Sequence, residues 1–327
     1  MAVASTRQYI EQLIADSRVV EIRHLPSGRS GLFDDPAALM RALAGVPRYG
    51  GLYSSLNQPS ATASNAFGTR ALRDADIVRI KRIAFDFDPV RPAGEAACGS
   101  QLDAANRASL QLASDLLDYR FPEPLIGASG NGYHLQYRVD LPATATTKGV
   151  FRRLYAGLAQ RYSTDEVVFD ATVRNPARIL RLYGTPNRKG GEVRGTRCWI
   201  PDSWDLVDHG ALARLAEDLS PVAEIARRSG APCRLGAGDY ATLDVVSMFQ
   251  AHGLYEEEIR PGLHAVICPW EDEHSSSSAG DTVILEADGR WPNFRCHHAH
   301  CDGRGIREVM QVLGDADAFC SSPFRGS

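Results

Sequence analysis

The segment IKRIAFDFDP, residues 80 to 89, constrains this chain more than any other stretch. Its apolar run Ile83, Ala84 and Phe85 passes directly into Asp86, Phe87 and Asp88, and Pro89 stops it, which is the pattern of a strand ending in an acid pair. Residues i and i+2 of a strand point to one face, so both carboxylates project together. Two carboxylates held that close repel unless a cation lies between them, and hard oxygen ligands suit Mg²⁺ or Mn²⁺. An acid pair that merely caps a strand and faces water satisfies the same short pattern.

A second apolar run, EVVFD, ends in Asp170 and offers a third carboxylate. Two-metal phosphoryl transfer needs such a set: one ion activates an attacking hydroxyl and the other holds the triphosphate and leaving pyrophosphate. Between the acids, IGASGNGYHLQYRV places Ser129, Gly130, Asn131 and Gly132 in a tight turn, with His134 opening the next strand. Backbone N–H groups in such a turn can cradle a phosphate and His134 can donate to one, although a plain hairpin explains the glycines equally well.

Residues 171 to 200 hold Arg174, Arg178, Arg181, Arg188, Lys189, Arg194 and Arg197 against one acid, Glu192. Such cations neutralise a triphosphate or hold a template backbone, or else form a solvated face. Strand alternation sends Arg178 and Arg181 to opposite sides, so only one of them need face the acids.

Alternating strand and helix patterns fill the first two thirds and indicate an α+β or α/β domain. Strands are expected over 19–25, 51–57, 80–88, 124–129, 134–140, 166–170 and 178–184. Helices are expected at the N-terminus and in DPAALMRALAG, LDAANRASLQLASDLLDY and TTKGVFRRLYAGLAQRY. Short helical pieces, GALARLAEDL and PVAEIARRSG, come next between prolines and a Gly-rich run. Three regions are therefore expected: 1–200, a helical linker 201–240, and 241–327. With 44% hydrophobic and 23% charged residues the chain has a globular composition, and net charge of -4 announces no polyanion partner. No stretch reaches the ~20 apolar residues of a membrane span, so a soluble cytoplasmic protein is expected. No Walker A sequence is present.

Of seven cysteines, Cys268, Cys296 and Cys301 gather near His274, His297, His298 and His300. Two ligands from each of two short loops, separated by the strand-like TVILEA and WPNFRC, is the layout of a small structural Zn²⁺ module. The spacings differ from those of a DNA-reading finger with an HxxxH helix.

The order DFD, SGNGYH, FD and then RNPARILRLYGTPNRKG resembles the archaeo-eukaryotic primase superfamily, more narrowly the primase-polymerases of phages and plasmids. The resemblance spans about residues 18 to 200. It implies an RRM-like antiparallel sheet with flanking helices and an N-terminal αβ module. It implies metal binding by Asp86, Asp88 and Asp170, a Ser129 and His134 motif with His134 on the phosphates of the incoming nucleotide, and basic positions at Arg181 and Lys189.

The C-terminal CPWEDEH and FRCHHAHC are similar to the finger attached to such primases, with Cys268, His274, Cys296 and Cys301 as ligands and His298 competing for a place. The resemblance thus implies a nucleotidyltransferase acting on single-stranded DNA template with nucleoside triphosphates, beside a separate helicase, in a bacterial or virus-infected cytoplasm. A catalytically idle single-strand-binding adaptor and a metal-dependent nuclease are the alternatives.

Overall fold

The structure, a computed structural model, describes residues 2 to 321 apart from 48, 93, 190, 220–237, 272–281, 299 and 300. PVAEIARRSG, His274, His300, the last six residues and the side chain of Lys189 lie outside the described residues. Two compact units are formed, Met1–Lys148 with Leu158–Arg214, and Gly149–Gly157 with Leu215–Ser327.

In the first unit the elements run β1 (Ala2–Val3), α1 (Thr6–Ser17), β2 (Val20–Leu25), β3 (Arg29–Phe33), α2 (Pro36–Leu43), β4 (Gly51–Ser55), β5 (Gln58–Pro59) and β6 (Ala66–Thr69). They continue with β7 (Ile77–Pro89), α3 (Gly99–Asp118), β8 (Leu125–Ala128), β9 (Tyr133–Pro142), α4 (Ala145–Tyr162, of which Gly149–Gly157 count with the second unit), β10 (Val167–Phe169), β11 (Ile179–Arg181), β12 (Asn187–Lys189), β13 (Glu192–Arg194), β14 (Arg197–Ile200) and α5 (His209–Asp218, which counts with the second unit from Leu215). Local chemistry sets the helix starts. Ser5 and Gln8 form a capping box at α1, and Asp35 caps α2 with Pro36 in its first turn.

One sheet has the order β1-β14-β8-β9-β7-β10, with β5 also on β7, and a second has the order β11-β4-β2-β3-β6. Every pairing in both is antiparallel, so the arrangement is α+β despite the alternation of strands and helices along the chain.

The long strand β7 has two different faces. Phe85 and Phe87 point one way and join Phe121, Tyr137 and Phe169 in an aromatic cluster, while α3 packs on β7, β9 and β10 and buries Ala104, Ala105, Leu112 and Leu116. Burying one such ring contributes about 2 to 3 kcal/mol, so this face anchors the sheet. Arg82, Ala84, Asp86 and Asp88 point the other way, opposite Arg138, Gln136 and His134 of β9. That second face is polar and still largely buried, because Tyr9 of α1, Tyr183 and Trp204 lie against its side chains.

The second unit is a four-stranded antiparallel meander, β15 (Tyr255–Arg260), β16 (Leu263–Val266), β17 (Thr282–Leu285) and β18 (Asn293–Cys296). Helices α6 (Val245–Ala251) and α7 (Ile306–Leu313) close its core around Met248, Phe249, Leu254, Ile284, Phe294 and Val309. Among the described residues no helix is long and apolar enough to cross a membrane.

Candidate active site

Strand register draws the sequence motifs into one row. Asp86 pairs with His134 on β9, His134 with Gly127 on β8, and Gly127 with Cys198 on β14. On the other side Phe169 pairs with Phe87, and the Asp170 N–H donates to the Asp86 carbonyl at 2.9 Å. Directly paired residues share a sheet face, so Asp170, Asp86 and His134 look the same way, with Asp88 two residues along from Asp86.

Each acid faces a basic side chain of its own. The Asp86 Oδ1 lies 3.3 Å from His134 Nε2, Asp88 lies 3.5 Å from the Arg91 guanidinium, and Asp170 is 3.1 Å from Arg178. Asp170 also caps a short turn by accepting from the Thr172 N–H at 2.8 Å. Among the described His, Cys, Asp and Glu side chains, three or more ligand atoms lie within 4.8 Å of one another only at Cys268, Cys296 and Cys301. The three aspartates are thus grouped on one face without forming a closed cluster.

Asp86 Oδ1 is nevertheless buried with no hydrogen-bond partner among the described residues. An orphaned carboxylate oxygen is costly, and on a face with two further carboxylates it has the hard donor chemistry that Mg²⁺ or Mn²⁺ takes. The residues therefore fit a divalent cation.

The glycine turn is built for close approach as well as for curvature. Gly130 takes φ +88°, and a Cβ at Gly132 would lie 2.7 Å from Asp88 Oδ1 and 2.5 Å from the Phe87 carbonyl. Ser129 Oγ donates to the Gly132 carbonyl at 3.1 Å, and Asn131, almost fully buried, accepts from the Ala97 N–H at 2.9 Å. Ser129 and Asn131 therefore hold the turn itself together. The Asn187 amide and the Arg194 guanidinium, from the basic segment, donate to the carbonyls of Ser129 and Gly130.

Of the two arginines that alternation separates, Arg178 reaches the acids. Arg181 instead lies on the five-stranded sheet, stacked 4.3 Å over the Tyr53 ring and donating to its hydroxyl at 2.8 Å. It is 7% exposed, its Nη1 has no partner among the described residues, and burial lowers its pKa.

Three residues that the motifs do not announce complete the site. Tyr183 Oη lies 2.6 Å from His134 Nδ1, Gln136 Nε2 donates to Tyr183 at 3.3 Å and to Tyr9 at 3.1 Å, and Arg82 donates to Gln136 at 3.2 Å. Burial, reinforced by Tyr9, Cys198 and Asp86, pushes the Tyr183 phenol far up, so it keeps its proton. Gln136 stands two residues beyond His134, and strand periodicity alone places it on the same face. No comparable signal marks Tyr183.

In the second unit Cys268, Cys296 and Cys301 converge from the β16 exit, the end of β18 and the loop before α7. Cys268 and Cys301 sulfurs are 3.6 Å apart, and His298 Nδ1 lies 3.2 Å from Cys296 Sγ. Burial pushes Cys268 up. At Cys296 burial acts the same way but is outweighed by hydrogen bonds from Thr282 and His298, which bring the thiol down to about 7. Three convergent thiols fit a soft divalent cation such as Zn²⁺.

No protein-family model matches the chain, and no curated protein matches it. Solved structures similar to it at low identity include two domains. The AEP domain of the primase-polymerase of cyanophage S-2L is 18% identical, with 66% of this chain and 100% of that chain covered and a TM-score of 0.40. The polymerase domain of Mycobacterium tuberculosis ligase D, solved in complex with DNA, is 15% identical, with 69% and 91% covered and a TM-score of 0.33.

Proposed function

We propose that this chain is a template-directed nucleotidyltransferase, a DNA primase-polymerase that starts primers from free nucleotides and extends them in phage or plasmid-type replication. The observation that carries the reading is the row Asp170, Asp86 and His134 on adjacent strands, with a buried Asp86 oxygen that has no hydrogen-bond partner among the described residues. Asp86, Asp88 and Asp170 would hold Mg²⁺ or Mn²⁺, which when bound supplies activation of a 3′ hydroxyl and neutralisation of phosphate charge. His134 offers Nε2 toward the same space and contacts the triphosphate. Arg178 holds Asp170 in place, and Lys189 adds positive charge for the phosphates of template or nucleotide.

In the second unit Cys268, Cys296 and Cys301 hold Zn²⁺ with a histidine, His274 or His298, as the fourth ligand, and this module grips the template at initiation. A separate helicase exposes the single-stranded DNA template.

Incubation with Mn²⁺, labelled nucleoside triphosphates and an unprimed single strand tests the reading. Products that lengthen support it, and products that shorten indicate a nuclease. Asp86→Ala is expected to abolish incorporation while leaving template binding within about twofold. Undiminished incorporation by that variant would remove the assignment.

A further inference from the structure

A buried chain of hydrogen bonds runs behind the acid row, and its polarity is set at one end. The Arg82 guanidinium can only donate. It is fully buried, paired with Asp16 at 2.7 Å and stacked 4.6 Å over the Trp204 ring, and its Nη1 lies 3.2 Å from Gln136 Oε1. The Gln136 amide must therefore turn its oxygen to Arg82, which sends both its N–H groups the other way. These reach Tyr9 Oη at 3.1 Å and Tyr183 Oη at 3.3 Å. Tyr183, accepting from Gln136, has its own proton to give, and His134 Nδ1 stands 2.6 Å away. A neutral imidazole that accepts at Nδ1 carries its hydrogen on Nε2. Nε2 is the nitrogen 3.3 Å from Asp86 Oδ1.

The same row of the sheet makes room for the tyrosine. A Cβ on Gly127 would lie 2.1 Å from Tyr183 Oη, so only glycine beside His134 admits the hydroxyl at this position. A pair of tyrosine rings, Tyr9 and Tyr183, meeting edge to face at 4.8 Å, fixes the phenol from the other side.

We propose that Arg82, Gln136 and Tyr183 are positioning residues that lock His134 in the Nε2–H tautomer, so that an N–H and not a lone pair is presented among the aspartates to the phosphate of an incoming nucleotide. The role toward nucleotide rests on the polymerase reading, whereas the tautomer does not. Without the chain, the ring could present either nitrogen state, and a lone pair facing a phosphate oxygen repels it. The device works by hydrogen-bond direction alone and needs no change of charge.

Long-range ¹H–¹⁵N correlation on histidine-labelled full-length protein, in mildly alkaline buffer, reads the tautomer directly, with His134→Asn identifying the signals. The wild type is expected to show Nε2–H with Nδ1 unprotonated; Nδ1–H in the wild type overturns the proposal. Gln136→Glu replaces the donor to Tyr183 by an acceptor of the same shape, beside Arg82, which keeps it ionised. Tyr183 then donates to Glu and accepts from His134, so the tautomer should reverse; an unchanged pattern in a folded variant overturns the proposal as well. In Tyr183→Phe the preference should be lost, and KM for the incoming nucleotide should rise about tenfold with a smaller change in kcat. Should the wild type show the expected tautomer and incorporate no nucleotide, the polymerase reading fails while the lock stands. Should the variants fail to fold, the wild-type spectrum decides alone.

Discussion

At Asp16 one carboxylate serves two guanidiniums. It accepts from Arg82 at 2.7 Å and from Arg138 at 3.0 Å, and it is only 5% exposed. Losing one member of a buried ion pair leaves the other charge uncompensated, which costs about 3 to 5 kcal/mol. Asp16→Ala is therefore expected to lower unfolding stability by that amount in a urea titration. The arginine that sets the direction of the chain to His134 would be loosened with it. Only the amphipathic character of this helix was legible along the chain, because the partners of Asp16 lie on strands far away in sequence and nothing local marks it as buried. His134, by contrast, stood out beside the acids, and its partner in register, Asp86, follows from strand pairing that sequence order cannot supply.

Elements position the site through close approaches that tolerate little added volume. Gly132→Ala would force a methyl into the space of Asp88 Oδ1 and the Phe87 carbonyl. The expected result is a folded protein with incorporation reduced more than about tenfold, because the turn or the acid strand must move. A circular dichroism spectrum beside the activity assay separates this from unfolding. The entry to β7 is fastened by Asp76, whose carboxyl is held down at about 2, chiefly by the Arg70 hydrogen bond and then by the Arg73 N–H, against the opposing effect of desolvation. A depressed carboxyl stabilises the fold above its unfolded pKa near 4 and loses that contribution as pH falls through about 2. The stability difference between wild type and Asp76→Asn should thus be full at neutral pH and vanish on acidification across that window. Most of the strands around the site could be read from alternation. Strands β3, β6 and β14 could not, since Gly- and Ser-containing or short runs carry weak periodicity.

On the scale of the whole molecule, the two units divide the chemistry into hard and soft donors. Carboxylates gather in the first unit and thiols in the second. Purified protein is expected to hold about one zinc per chain by elemental analysis, with Cys301→Ser losing it. Removing that metal should lower the stability of the second unit and abolish starts on unprimed template, while extension of a supplied primer is largely kept. The composition of short motifs alone sufficed to propose acids on strand ends, a glycine turn before a histidine and a thiol cluster, since ligand chemistry and strand alternation are local properties. Tertiary pairing decided which of them meet. It set Asp170 beside Asp86, brought Arg178 rather than Arg181 to the acids, and drew Cys268 to Cys301. It also built the Arg82, Gln136 and Tyr183 chain behind His134. Register and hydrogen-bond direction are relations between distant segments, and no single stretch of the sequence contains them.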